Sequence, residues 1–195
     1  MNKTLQSIAR ATACTALALS ALQASAAQTV EKSVNYGLLS LPYTQSIGDS
    51  LQPMASSGDT FLEDYGFSIG NGGSFSSAVV TFDLNSVLGM SGLTVTLLQG
   101  TPWSGAVPAD LTSNQIAARD ASILATGTGP AMNSVINDMT LTQGNYVVEV
   151  SGQVTGTAGG SYGGVFNVAA VPEPTGLALA IAGLGLIALR RRAER

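Results

Sequence analysis

Phe61-Leu62-Glu63-Asp64-Tyr65-Gly66-Phe67 sets aromatic rings at positions 61, 65 and 67, all of one parity. Side chains of a β-strand alternate between its two faces, so Phe61, Tyr65 and Phe67 are expected on one face, packed inward against a core. Glu63 shares that face, where a charge needs a partner or a sheet edge. Asp64 points the other way, so the two adjacent acids are badly placed to act together on a glycosidic bond.

The same period recurs along the chain. Val80, Phe82 and Leu84 take one face while Val79, Thr81 and Asp83 take the other, and Leu93, Val95 and Leu97 alternate with Thr94 and Thr96. Tyr146, Val148, Val150 and Val154 alternate with Val147, Glu149, Ser151 and Gln153 behind a turn at Gln143-Gly144-Asn145; Tyr162, Gly164, Phe166 and Val168 make a last strand. Twenty of the 23 glycines fall between residues 27 and 170, as expected for many tight turns. Only residues 110–124 suit a short helix, with Asp110 or Asn114 as its cap, and a loop is the alternative. Several short strands predict an all-β fold, an antiparallel β-sandwich that is jelly-roll-like or Ig-like, with a closed barrel as the other solution.

Charge and composition narrow the chemistry. The 195-residue chain has no His and a single Cys, Cys14, which removes imidazole catalysis, histidine metal ligation and any intramolecular disulfide. No metal ligand set and no cofactor site can be named. Between residues 27 and 170 only Lys32 and Arg119 are basic, against ten acids, a net charge of −8. That balance excludes a nucleic-acid partner, which needs a basic patch. It suits a soluble acidic surface, with a weak calcium site of carboxylates as the other reading. Without His, a serine nucleophile would need Lys32 as its base, and no nucleophile elbow or phosphate-cradling loop occurs, so no catalytic residue is assigned and the protein is expected not to be an enzyme.

Both ends read as targeting segments. Residues 1–26 form a secretory signal peptide: Lys3 and Arg10 open it, residues 11–22 are apolar, and Ala24-Ser25-Ala26 places small residues Ala24 and Ala26 at a signal-peptidase site. Export through the Sec translocon is expected, leaving the secreted domain, 27–170, without cysteine and held by packing and hydrogen bonds alone. At the other end Val171-Pro172-Glu173-Pro174 precedes the apolar stretch 175–189 and then Arg190-Arg191-Arg192. Fifteen helical residues span about 22 Å, a marginal membrane crossing, and the arginines set its orientation with the domain outside.

The segment 171–195 resembles the PEP-CTERM sorting domain of Gram-negative bacteria, with Pro172, Glu173 and Pro174 matching its tripeptide. The resemblance implies a single-pass precursor in the inner membrane, recognised and processed by an exosortase, and a secreted, cell-surface or extracellular-matrix destination beside exopolysaccharide. The 61–67 stretch, with Leu141 to Tyr146, Val150-Ser151-Gly152 and the glycine-rich 159–164, is similar to the FxDxF subgroup. Phe61, Tyr65 and Phe67 match its aromatic positions, Glu63 stands where the motif has Asp, and Asp64 lies one place off.

Three functions are compatible with these readings: a non-enzymatic structural or adhesive role in an exopolysaccharide or biofilm matrix, a carbohydrate- or calcium-binding module, and a hydrolase. For the second, Trp103 and the tyrosines would stack on sugar faces, although a Trp in a Pro-Trp-Ser-Gly turn more often anchors a loop.

Overall fold

The computed structural model describes residues 28–53, 59–84, 86–104, 109–130 and 132–171, with Ile181, Ala182, Leu184 and Arg190 beyond them. Among the described residues from 28 to 171, ten strands and one helix follow in chain order: β1 (Gln28–Leu39), β2 (Tyr43–Leu51), β3 (Thr60–Ile69), β4 (Gly73–Thr81), β5 (Met90–Gln99), β6 (Ala109–Asp110), α1 (Ser113–Asp120), β7 (Ile123–Thr126), β8 (Asn133–Leu141), β9 (Gly144–Val154) and β10 (Gly160–Ala170). They form two sheets, one ordered β6-β1-β3-β9-β5-β7 and the other β2-β10-β4-β8. The expected all-β sandwich is therefore present. One pairing differs from the antiparallel expectation: β1 and β3 run parallel. The chain crosses to the opposite sheet as β2 between them, so it returns in its original direction and lays β3 beside β1.

Inward residues of both sheets interdigitate around Phe166. Its ring lies 5.4 Å from that of Phe67, 6.2 Å from Phe75 and 6.0 Å from Tyr36, distances at which offset rings attract. Phe61, Tyr65, Phe67, Val95, Leu97, Val148, Val150, Tyr162 and Val168 complete this core. The strands at 93–97, 146–154 and 162–168 bury the parity expected of them.

β4 buries the parity of Phe75, Ser77, Val79 and Thr81 and leaves Val80 outside. The strand ends at Thr81, and Phe82 and Leu84 stand in the exposed connection that follows. The more apolar parity of residues 79–84 is thus the outer one, because Phe75 and Val79 fix the phase from within.

The face of the six-stranded sheet away from this core is covered in part by the segment between β5 and β7. Val30, Leu62 and Leu111 form a second small cluster there, packed by Trp103 and Ile116. Helix α1 occupies the stretch expected of it, but its cap is Thr112 rather than Asp110 or Asn114. Thr112 Oγ1 accepts from the Gln115 amide at 3.4 Å while Gln115 Oε1 accepts from the Thr112 amide at 2.8 Å, a reciprocal capping box.

Candidate functional site

Strand β3 is buried on both faces, and its two acids anchor two different clusters. On the inner face Phe61, Glu63, Tyr65 and Phe67 line up as the alternation requires, each no more than 2% exposed. Glu63 Oε2 accepts hydrogen bonds from the hydroxyls of Tyr65 and Tyr162, both at 2.6 Å. Its other oxygen, Oε1, is buried and makes no hydrogen bond.

Lys32 and Asp49 close the cluster. Between Val30 and Lys32 the β1 ladder carries a bulge, so Val30 pairs with the outward Leu62 while Lys32 pairs with the inward Glu63. The extra residue, Glu31, re-aims Lys32 into the sandwich, a recognised use of a bulge. On the facing sheet, Asp49 of β2 pairs with Tyr162 of β10. Lys32 Nζ donates to Asp49 Oδ2 at 2.9 Å and to the Gly48 carbonyl at 3.3 Å, and lies 5.7 Å from the centre of the Tyr65 ring. Two residue pairs, one from each sheet, thus meet across the core.

The environment separates the two carboxyls. Burial pushes Glu63 above the ordinary carboxylate range; the tyrosine hydroxyls pull it back in part, and the Asp49 charge adds to the rise. Asp49 sits lower than usual: partial burial raises it, but hydrogen bonds from Lys32 and the Ser50 amide outweigh that effect. Burial and the Glu63 charge drive the Tyr65 and Tyr162 hydroxyls well above their ordinary value, so they remain donors.

On the outer face Asp64 is fully buried and accepts from Arg119 Nη1 at 3.1 Å and from the Trp103 amide at 2.9 Å. Arg119 Nη2 also bonds Asp64, and its Nε donates to Glu149 Oε2 at 2.8 Å, with Nη2 contacting that same oxygen. Glu149 is the partner of Asp64 across the β3–β9 ladder, so one guanidinium bridges two carboxylates that would otherwise repel. Burial raises the Glu149 carboxyl against the pull of Arg119. Ser33 Oγ donates to the Trp103 carbonyl at 2.5 Å, which ties the covering loop to β1 as well. Trp103 anchors a loop and Tyr65, Tyr146 and Tyr162 are buried, whereas Tyr36 and Tyr43 are half-buried against the core.

Of the residues singled out in the sequence, Phe61, Glu63, Tyr65 and Phe67 lie together on the inner face. Ala24, Ala26, Pro172, Glu173, Pro174, Arg191 and Arg192 fall outside the described residues, as does most of the stretch 175–189. Within that stretch Ile181, Ala182 and Leu184 are helical and exposed, and Arg190 after it is likewise helical and exposed. Among the described residues no helix is long and apolar enough to cross a membrane, and no group of three acidic or sulfur ligands is placed to hold a metal.

Tyr162 and Asp49 were not legible as partners of Glu63, being 99 and 14 residues away with no local signal. Lys32 and Arg119 carry a usable signal: they are the only cations between residues 27 and 170, where ten acids compete for them.

No family model matches the chain, and no curated protein does. Among solved structures it is similar to the pre-peptidase C-terminal domain of a collagenase from Bacillus anthracis, at a TM-score of 0.40 and 16% identity. That match covers 69% of this chain and 95% of that domain.

Proposed function

We propose that the chain is an exported protein whose β-sandwich has a non-enzymatic structural or adhesive role in an exopolysaccharide matrix of a Gram-negative bacterium. In this reading signal peptidase removes residues 1–26, and an exosortase recognises Pro172-Glu173-Pro174 and processes a tail held in the inner membrane by 175–189 and oriented by Arg190 to Arg192. The sandwich is read as jelly-roll-like, since successive long strands alternate between the sheets rather than pairing as hairpins within one.

The observation that carries the non-enzymatic reading is the double burial of β3. Glu63 is enclosed by Tyr65 and Tyr162, and Asp64 by Arg119 and the Trp103 loop, so both of the strand's acids are held by the protein's own side chains instead of lining an open cleft. Sorting rests on the Pro-Glu-Pro, apolar and triple-arginine order of the tail.

Intact mass and C-terminal peptide mapping of the protein from its native host, inner membrane against extracellular matrix, tests the proposal. A matrix form ending between Pro172 and Pro174 supports it. A full-length form confined to the inner membrane refutes it. Saturable binding of the matrix form to host polysaccharide or to calcium would move the role from scaffold to binding module.

A further inference from the structure

We propose that Lys32 and Asp49 are the two halves of an internal isopeptide crosslink, an amide between Lys32 Nζ and Asp49 Cγ formed with Glu63 as proton shuttle, that joins the two sheets covalently. The crosslink involves this domain's own residues and is independent of where the protein is sorted.

Three features of the cluster point to it. First, the amine is aimed. The bulge at Glu31 turns Lys32 inward, the Gly48 carbonyl and the Tyr65 ring hold its head, and Asp49 Oδ2 lies 2.9 Å from Nζ. Second, the acceptor is fixed: Asp49 Oδ1 takes the Ser50 amide at 2.7 Å, which sets the plane of the carboxyl that Nζ must approach. Third, a carboxyl with an idle oxygen stands beside them. Glu63 is opposite Lys32 in the β1–β3 ladder, its Oε2 is immobilised by two tyrosines, its Oε1 has no hydrogen bond, and it and Asp49 influence each other's ionisation.

The chemistry balances without an added reagent. Before bond formation one proton must leave the ammonium for Asp49 along the 2.9 Å contact, against the preference of the ion pair, which gives a neutral amine and a neutral acid. Nζ then bonds to Cγ and one Cγ–O bond breaks. The departing hydroxyl takes a second Nζ proton through Glu63, which accepts one proton, gives one up and is regenerated unchanged. One amide and one water result, and two opposite charges disappear. In free solution this condensation runs the other way; preorganised reactants gain effective concentrations on the order of 10⁵–10⁸ M, which is what the two sheets supply here. The side chains of Lys32 and Asp49 are 34% and 37% exposed, so the released water has an exit.

Intact mass of the folded protein, with its termini read by peptide mapping, is the test. The expected wild-type mass is lower than that of its sequence by one water, and chymotryptic digestion yields a branched peptide joining the Lys32 and Asp49 segments. Lys32→Arg keeps the ion pair and should restore the full mass, as should Glu63→Gln. A folded wild-type protein at full mass overturns the proposal. So does a water loss that persists in Lys32→Arg, which would mark dehydration elsewhere. Loss retained in Glu63→Gln removes Glu63 from the reaction and overturns the assigned shuttle.

Discussion

The hydroxyls of Tyr65 and Tyr162 lie 2.7 Å apart, and both also reach the same oxygen of Glu63. One residue comes from each sheet, so a single carboxyl oxygen and two phenols make a polar knot in an otherwise apolar, aromatic core. Removing one phenol leaves Glu63 with half its donors. Tyr162→Phe is therefore expected to cost about 1–3 kcal/mol in denaturant unfolding, with little change in far-UV circular dichroism. A change below a few tenths would show that the knot contributes nothing.

The pH dependence follows from the same carboxyl. Glu63 has a folded-state pKa above its ordinary value, so the folded protein holds the proton more tightly than the unfolded chain does. Its contribution to stability is fully present below about pH 4.5 and is lost as pH rises through the higher folded value. Glu149 acts in the same direction. Urea midpoints for wild type should fall from mildly acidic to neutral pH, and Glu63→Gln should flatten the slope in part; an unchanged slope in the variant would refute the assignment.

Arg119 bridges two carboxylates, one of them fully buried. Arg119→Met leaves Asp64 and Glu149 facing each other unpaired, with an expected loss of about 3–5 kcal/mol. Asp64→Asn combined with Glu149→Gln in the Arg119→Met background should recover most of it. Failure of the triple variant to recover would place the loss in packing rather than charge.

Gly66 faces outward beneath Pro102, and a Cβ there would stand 2.4 Å from the proline ring. Gly66→Ala must lift the loop that carries Trp103, the chain's sole tryptophan. The expected outcome is a red-shifted fluorescence maximum and a loss of about 1–3 kcal/mol. Unaltered emission would mean that the loop is not held by this contact.

The phase of β4 can be checked by paired substitutions. Phe82 is more than half exposed and Phe75 is fully buried. Phe82→Ser should shift stability by no more than about 0.5 kcal/mol, whereas Phe75→Ala should cost about 3–5 kcal/mol. Equal effects would contradict the register.

What the sequence made legible was local. The parity of residues 61–67 placed Phe61, Glu63, Tyr65 and Phe67 on one inward face, because period-two alternation is a property of the strand alone. The same logic gave β5, β9 and β10. It could not give the phase of β4, where Val80, Phe82 and Leu84 are the more apolar set but Phe75 and Val79 decide. Nor could it give the parallel β1–β3 pair, which depends on β2 leaving for the other sheet. The bulge at Glu31 is invisible for a related reason: Lys32 has the parity of the outward Val30 in the sequence and is inward only because one residue is skipped. Tyr162 reaches Glu63 through the packing of two sheets, which no spacing along the chain encodes.

The placement of β10 has a mechanical consequence. This last strand pairs with β2 from Gly160 to Val168 and with β4 from Tyr162 to Ala170, so it is held on both sides from Tyr162 to Val168. A pull entering at Ala170 acts along the strand, so both ladders are loaded in shear and must yield together instead of opening one bond at a time from an edge. At the opposite end β1 is flanked by β3 and β6 in the other sheet. Tension between the two ends therefore passes from one sheet to the other through the aromatic interior, and the domain resists stretching at the points where a tether would grip it.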